Sequence, residues 1–198
     1  MNTAARAEVG GASAHDAFPV VASERLRLRS FALADIPTLV AIANQHGIAD
    51  TVLDVPYPFT ASYARGWIAT HAAEWSQRRT VHWAISRLND DRLIGYAGLG
   101  PLDAINRQVA LSVWVGRGPE RRSNATEAAQ AALALAFTSL GVHRVYALQI
   151  ARDAFSGRVL AQIGMRQEGI LRGRACKWDQ FEDVVIWAQL HSEWLQSL

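Results

Sequence analysis

The chain has 198 residues, half of them hydrophobic, which is enough for one well-buried domain and short for two. Its formal net charge of +2 is too small to point to nucleic acid from bulk electrostatics, and an arginine bias that leaves Lys177 as the only lysine adds little about partners. A lone Cys176 excludes an internal disulfide, no Cys/His cluster suggests a metal, and no run of ~18 apolar residues suggests a membrane helix, so a soluble, cytoplasmic protein is expected.

Residues 1–22 are rich in Ala, Gly and small polar residues and read as a flexible tail, leaving residues 23–198 as a single domain. From Glu24 the string ERLRLRSF alternates, which predicts a half-buried strand with Leu26 and Leu28 inward. Asp35 is placed to cap a helix with Pro37 in its first turn and Ile36, Leu39, Val40 and Ala43 as its apolar stripe, ending near Gly47. A second helix is predicted after Pro58 and Thr60, with Ala64, Trp67, Ile68, His71 and Trp75 at helical spacing.

VHWAISR, the turn Asn89-Asp90-Asp91 and RLIGYAGLG read as strand, turn and strand, and RQVALSVWVG as a third strand. GYAGLG lies inside a strand with no helix after it, so it is not a dinucleotide fingerprint. Residues 125–140 form a predicted helix stopped by Gly141, VHRVYALQI a strand, and residues 154–163 a helix closed by Gly164. Two more strands are expected around residues 165–170 and 181–190. Three consecutive strands before a helix argue against a Rossmann domain, whose strands alternate with helices.

The segment WVGRGPERRSNATEAAQAALALAF, residues 114–137, runs from a strand through a basic loop into a helix. The first N–H groups of a helix lack intrahelical partners and carry the positive end of its dipole, so this is an anion site by construction, with Arg121 and Arg122 adding charge. Helix capping by Ser123 or Asn124 is the competing use of the same residues. The arginines weigh toward phosphate.

This order of elements, with the strings VPYPFT, LIGYAGL, LGVHRVYA, SGRVLAQIGMRQEGILR and EDVVIWAQLHSEW, resembles the GNAT superfamily of acyl-CoA N-acyltransferases, and within it the Rim group of ribosomal-protein N-terminal acetyltransferases. The likeness spans residues 23–194. It implies an α/β (α+β) fold: a mixed, largely antiparallel central sheet with helices on both faces and a splayed parallel strand pair at the acyl-CoA cleft. It further implies that pantetheine runs along residues 111–115, hence Val113 and Val115. Pyrophosphate would rest on Arg121, Arg122, Ser123, Asn124, Ala125 and Thr126, with Asp153 and Ser156 also at the cofactor. By the same resemblance Ser156 is the catalytic candidate, acting on the thiol, while Tyr57, Phe59 and Trp178 flank the acceptor. Trp83 reads as core.

Several positions depart from the family's pattern. Glu120 stands where Gln or Arg is usual, Ser123 replaces the central glycine of the phosphate loop, and Asp153 replaces an asparagine, with helix capping as its alternative use. Leu160 occupies the place of a tyrosine acid, and Ala110 and Ala175 occupy positions where relatives carry glutamates. No general base is therefore assigned; His82, Asp54, Glu168 and Asp183 remain, and a lone His or Asp is more often structural. The expected function is acetyl-CoA-dependent acetyl transfer to a primary amine, on a protein N-terminus or a small molecule. The alternative is a noncatalytic acyl-CoA-binding or interaction module. The expected partners are acetyl-CoA and an amine, without metal, nucleic acid or membrane, and a homodimer through the apolar final segment with Trp187 and Trp194 is left open.

Overall fold

In the computed structural model, residues 17–197 are described. The strands form one eight-stranded sheet, with inward-outward alternation clearest in β2. Its strands are β1 (Val21–Ala22), β2 (Leu26–Arg29), β3 (Val81–Arg87), β4 (Leu93–Asp103), β5 (Gln108–Val115), β6 (Arg144–Ile150), β7 (Arg166–Lys177) and β8 (Gln180–Leu190). They lie in the order β1-β2-β3-β4-β5-β6-β8-β7, every neighbouring pair antiparallel except β5 with β6. The helices are α1 (Ile36–Ala43), α2 (His46–Ala49), α3 (Ala61–Ser76), α4 (Arg121–Thr138), α5 (Ala154–Gln162) and α6 (His191–Gln196).

Strand register divides the sheet into two working faces. The cross-strand row Trp83–Ala97–Val113 and its neighbour Ile85–Gly95–Val115 point to one side. There Trp83, Ile85, Leu26 and Leu28 pack against the alanine-rich surface of α4, whose small side chains let helix and sheet approach closely. The alternate rows, Ala84–Tyr96–Trp114 and His82–Gly98–Ser112, point to the other side. A second core forms over the first of these, where Tyr96 and Trp114 meet Ile36, Leu39, Phe59 and Ala64 from α1, α3 and the loop between them. The mixed, mostly antiparallel architecture expected from the sequence is the one found.

Local signals account for most element ends. The Thr60 hydroxyl accepts the Tyr63 N–H at 3.2 Å and starts α3. Gly141 and Gly164 take φ of +61° and +88° after α4 and α5, a region costly for a side chain. Asp35 differs from expectation: its carboxylate makes no capping bond to α1, but accepts the Ala32 N–H at 2.8 Å and both terminal nitrogens of Arg29 at 2.8 and 3.0 Å. A stronger, charge-assisted partner has taken the carboxylate.

The expected tail falls into two parts. Residues 1–16 lie outside the described residues, but residues 17–22, assigned to the tail, are fastened to the domain. Trp75 and Trp83 donate their indole N–H groups to the carbonyls of Ala17 and Pro19 at 3.2 and 2.7 Å, and Val21–Ala22 pair with Leu28 and Arg27. The composition of the segment does not reveal this, because backbone carbonyls accept hydrogen bonds whatever their side chains. β1, α2 and α6 are likewise elements that the sequence pattern does not mark. α6 follows Leu190, whose N–H is held by the Glu193 carboxylate, and Trp194 packs on Phe137 of α4. Trp187 likewise packs inward and donates to Gln149 Oε1 at 2.7 Å. Both tryptophans thus make contacts within the protomer while staying half-buried. Among the described residues no helix is long and apolar enough to cross a membrane, and no group of three or more His, Cys, Asp or Glu is gathered as a metal site.

Candidate active site

β5 and β6 are paired only where Gln108–Ala110 meet Arg144–Tyr146. Beyond that point β5 stays with β4 and β6 stays with β8, so residues 111–115 and 147–150 separate and β5 has no strand partner on that side. The gap opens into a cavity of about 420 Å³. Leu111, Ser112 and Val113 line one wall, Ala147 and Leu148 the other, and Ala125 and Ser156 bring α4 and α5 to it. A loop over residues 51–54 covers it. That loop is held from both ends: Lys177 Nζ donates to the carbonyls of Ala49 and Val55 at 3.2 and 3.1 Å, and Asp50 is gripped by Arg152 at 2.6 Å and by the Trp178 indole at 2.8 Å.

Asp153 caps α5. Its Oδ1 accepts the N–H groups of Phe155 and Ser156 at 3.1 and 3.3 Å, and its Oδ2 accepts the Ser156 hydroxyl at 2.6 Å. Both residues line the cavity. The Ser156 proton is thus engaged with a carboxylate, and the free lone pairs of its oxygen remain as acceptors.

At the other helix the structure corrects the expected boundary. α4 begins at Arg121, four residues before Ala125, so Ser123 and Asn124 sit inside its first turn and are not its caps. Ser123 Oγ donates to the Glu120 carbonyl at 3.0 Å, a bond made within the turn. Arg122 and Ser123 are exposed, Asn124 and Thr126 are buried, and the Thr126 hydroxyl reaches Gln162 of α5 at 3.5 Å. Arg121 is a brace. Its Nε–H donates to the Val115 carbonyl at 3.0 Å and its guanidinium lies 3.9 Å from the centre of the Phe155 ring, with burial holding its pKa below the usual arginine range. Val115 therefore already has a partner for its carbonyl. Of the residues named from the sequence, Val113, Ala125, Asp153 and Ser156 share the cavity, while Arg121, Arg122 and Ser123 stand at the α4 N-terminus.

The residues expected around the acceptor divide between two spaces. Tyr57 and Trp178, 58% and 51% exposed, meet edge to face at 5.1 Å in an outer recess. Phe59, only 3% exposed, lines an inner chamber of about 260 Å³ together with Tyr63, Trp67, Tyr96, His82 and Glu74. Ser112, Gly100, Val52 and Asp54 line both this chamber and the cavity between β5 and β6, so the two spaces meet there. Sequence reasoning singled out neither Ser112 nor the α3 carboxylate. Two small residues, Gly98 and Ser112, are register partners at the opening, but other small residues in β4 and β5 leave them unmarked in the sequence.

The profile of the acetyltransferase (GNAT) domain matches residues 25–166, most of the chain and both strands of the splayed pair. The chain belongs to the GNAT acetyltransferases. This GNAT protein is 25% identical over 155 residues to the uncharacterized N-acetyltransferase YoaA of Bacillus subtilis, a match covering 78% of this chain and 87% of that one. It is 24% identical over 172 residues to the uncharacterized N-acetyltransferase p20 of Bacillus licheniformis, covering 87% and 96%. Among solved structures it is similar to Mycobacterium smegmatis RimJ in complex with CoA-disulfide, with a TM-score of 0.73 at 21% identity, covering 87% of this chain and 88% of that one. It is also similar to RimL, a ribosomal L7/L12 alpha-N-protein acetyltransferase in complex with coenzyme A, with a TM-score of 0.76 at 14% identity, covering 87% and 97%. At such identities the structural likeness establishes the GNAT fold and no more. The family supplies the reaction class, acyl transfer.

Proposed function

We propose that this GNAT protein transfers acetyl from acetyl-CoA to a primary amine by direct attack on the thioester. The observation that carries this reading is the continuity of the cavity between β5 and β6 with the aromatic chamber at Ser112, a donor space and an acceptor space meeting at one point. Acetyl-CoA brings an electrophilic thioester carbonyl. The unpartnered edge of β5 offers backbone groups to an extended pantetheine arm, and the α4 N-terminus with exposed Arg122 offers N–H groups and charge to the pyrophosphate. The residues present suit such a ligand, since Leu111, Val113 and Leu160 give the cleft apolar contacts beside polar groups, and Arg122 stands exposed at the α4 N-terminus.

In transfer, the amine lone pair forms the new C–N bond, the C–S bond breaks, and sulfur leaves beside Ser156. Rotation of the Ser156 hydroxyl from Asp153 toward sulfur would place a donor on the developing thiolate. Ser156→Ala should lower kcat by about tenfold, the scale of one hydrogen bond to a charged group, with little change in acetyl-CoA affinity. Equal turnover would remove Ser156 from the chemistry. Arg122→Ala should weaken acetyl-CoA binding by about threefold to tenfold, a difference that shrinks at high salt because an exposed charge is screened.

The deciding experiment is calorimetry with acetyl-CoA followed by measurement of free-thiol release over a panel of N-terminal peptides, polyamines, aminoglycosides and arylalkylamines. Binding with release on at least one amine is expected. A protein that gives no heat with acetyl-CoA does not have the proposed function.

A further inference from the structure

On the wall of the acceptor chamber, three polar side chains from three elements join in a line. Glu74 of α3 meets His82 Nε2 at 2.8 Å, and His82 Nδ1 of β3 meets the Tyr96 hydroxyl of β4 at 2.9 Å. A carboxylate only accepts hydrogen bonds, so the bond to Glu74 requires hydrogen on Nε2. That leaves Nδ1 as a lone pair accepting the Tyr96 O–H. Gly98 makes the last link. A Cβ at Gly98 would lie 2.0 Å from the Tyr96 hydroxyl oxygen, so this phenol rests where a side chain would otherwise be. Gly98 is the register partner of both His82 and Ser112, which puts the phenol oxygen beside the junction of the two cavities.

We propose that Tyr96, His82 and Glu74 form a proton relay that deprotonates a primary ammonium held in this chamber. The inference rests on the acyl-transfer reading above. The ammonium is drawn by the carboxylates of Asp54 and Glu74 and by the faces of Trp67, Phe59 and Tyr63, a lining that suits an amine on an apolar body. One proton passes from the ammonium to Tyr96 Oη as the Tyr96 proton passes to His82 Nδ1. The resulting imidazolium is paired with Glu74. The freed lone pair forms the C–N bond as the C–S bond breaks; a second proton leaves nitrogen for sulfur, the third stays in the amide, and His82 returns its proton to solvent.

The groups facing His82 keep it ready to accept. Burial, against the pull of Glu74, lowers the His82 pKa, so the ring is neutral at pH 7. Burial and the Asp54 and Glu74 charges push the Tyr96 pKa well above the phenol range, so Tyr96 passes a proton along and does not ionise. Burial opposes ionisation of Glu74, but hydrogen bonds from His82 and Thr70 hold it below its ordinary value, as a carboxylate. His71 of α3 stacks on His82 at 4.2 Å; burial, with repulsion from His82 whenever that ring is protonated, pushes it down to about 3, so it brings no second cation.

The test is His82→Gln, which keeps an N–H donor toward Glu74 and removes the titrating ring, with Tyr96→Phe alongside. Using an amine from the panel that the wild type acetylates, kcat/KM at pH 7 should fall by about 100-fold, with acetyl-CoA affinity unchanged. Wild-type kcat/KM should be level from below pH 6.5 upward. The variant should climb about tenfold per pH unit toward the alkylammonium range near 10, because it must wait for free amine from solution. An unchanged profile in a folded, acetyl-CoA-binding variant overturns the relay. Nitrogen-15 NMR of His82 decides independently of any acceptor: a neutral ring with hydrogen on Nε2 at pH 7 is required, and a charged ring or the other tautomer overturns it. Failure of acetyl-CoA to bind the wild type would strike the transfer reading, whereas these His82 signals bear on the relay alone.

Discussion

A Ser112→Trp protein should still bind acetyl-CoA by its nucleotide end and yet transfer acetyl at least about 100-fold more slowly than wild type, since a misplacement of about 1 Å at the reacting centre can cost that much. Ser112 is half-buried on β5 and lines both cavities, about 420 and about 260 Å³. An indole there has room to fit without entering the core, because Ser112 points to the face of the sheet opposite α4. It would stand in the opening where the proposed transfer brings amine and thioester together. Ser112→Ala is the control: it leaves the opening clear and should keep near-wild-type turnover. Single-turnover acetylation and acetyl-CoA calorimetry on both variants check this. Full activity in the tryptophan variant would mean that donor and acceptor meet elsewhere.

Trp83→Ala should destabilise the protein by about 3–5 kcal/mol, the range for removing a large aromatic side chain from a core. Trp83 is 0% exposed, sits between Leu28, Ala97 and α4, and its indole N–H holds the Pro19 carbonyl at 2.7 Å. Trp83→Phe separates the two contributions. It retains most of the buried ring and loses one hydrogen bond, worth about 1 kcal/mol, together with the attachment of residues 17–22. Urea unfolding measures the stability difference, and proteolysis near residue 17 reports the attachment. A phenylalanine variant as stable and as resistant as wild type would show that the segment before β2 is held by other contacts. Trp83 is also the sequence neighbour of His82 on the opposite face of β3, so the alanine variant should disturb the chamber as well.

The two tryptophans of the apolar final segment and the aspartate expected to cap α1 mark where sequence reasoning stopped. Each was assigned by residue type and local position, and each had a partner distant in sequence or stronger than the local one: Gln149 for Trp187, Phe137 for Trp194, Arg29 for Asp35. β3 and α5, by contrast, have bounds readable within a residue or two, because alternation, the Asp153 cap and the glycine after the helix all act within a few positions of themselves. β7 was undercounted for a related reason. All twelve of its residues are exposed or half-exposed, so no inward-outward alternation marks its length, and pairing with β8 alone extends it.

The catalytic serine candidate was readable because its helix begins with a local motif, Asp153-Ala154-Phe155-Ser156, whose members bond to one another across three positions. The acceptor side had no such motif. Glu74, His82 and Tyr96 lie 8 and 14 residues apart on a helix and two strands, and nothing near any of them in the chain distinguishes it from a core residue. The sequence by itself determined the family, the order of the main strands and helices, and both helix stops. Backbone preference and periodicity depend on near neighbours, and those are present in the string of letters. Tertiary structure alone decided that β5 and β6 part after three paired residues, that Arg121 is spent on the Val115 carbonyl, and that the row His82–Gly98–Ser112 joins two cavities. Each of these is set by which distant surfaces pack together, and packing determines both where a gap remains and which buried polar groups must find one another.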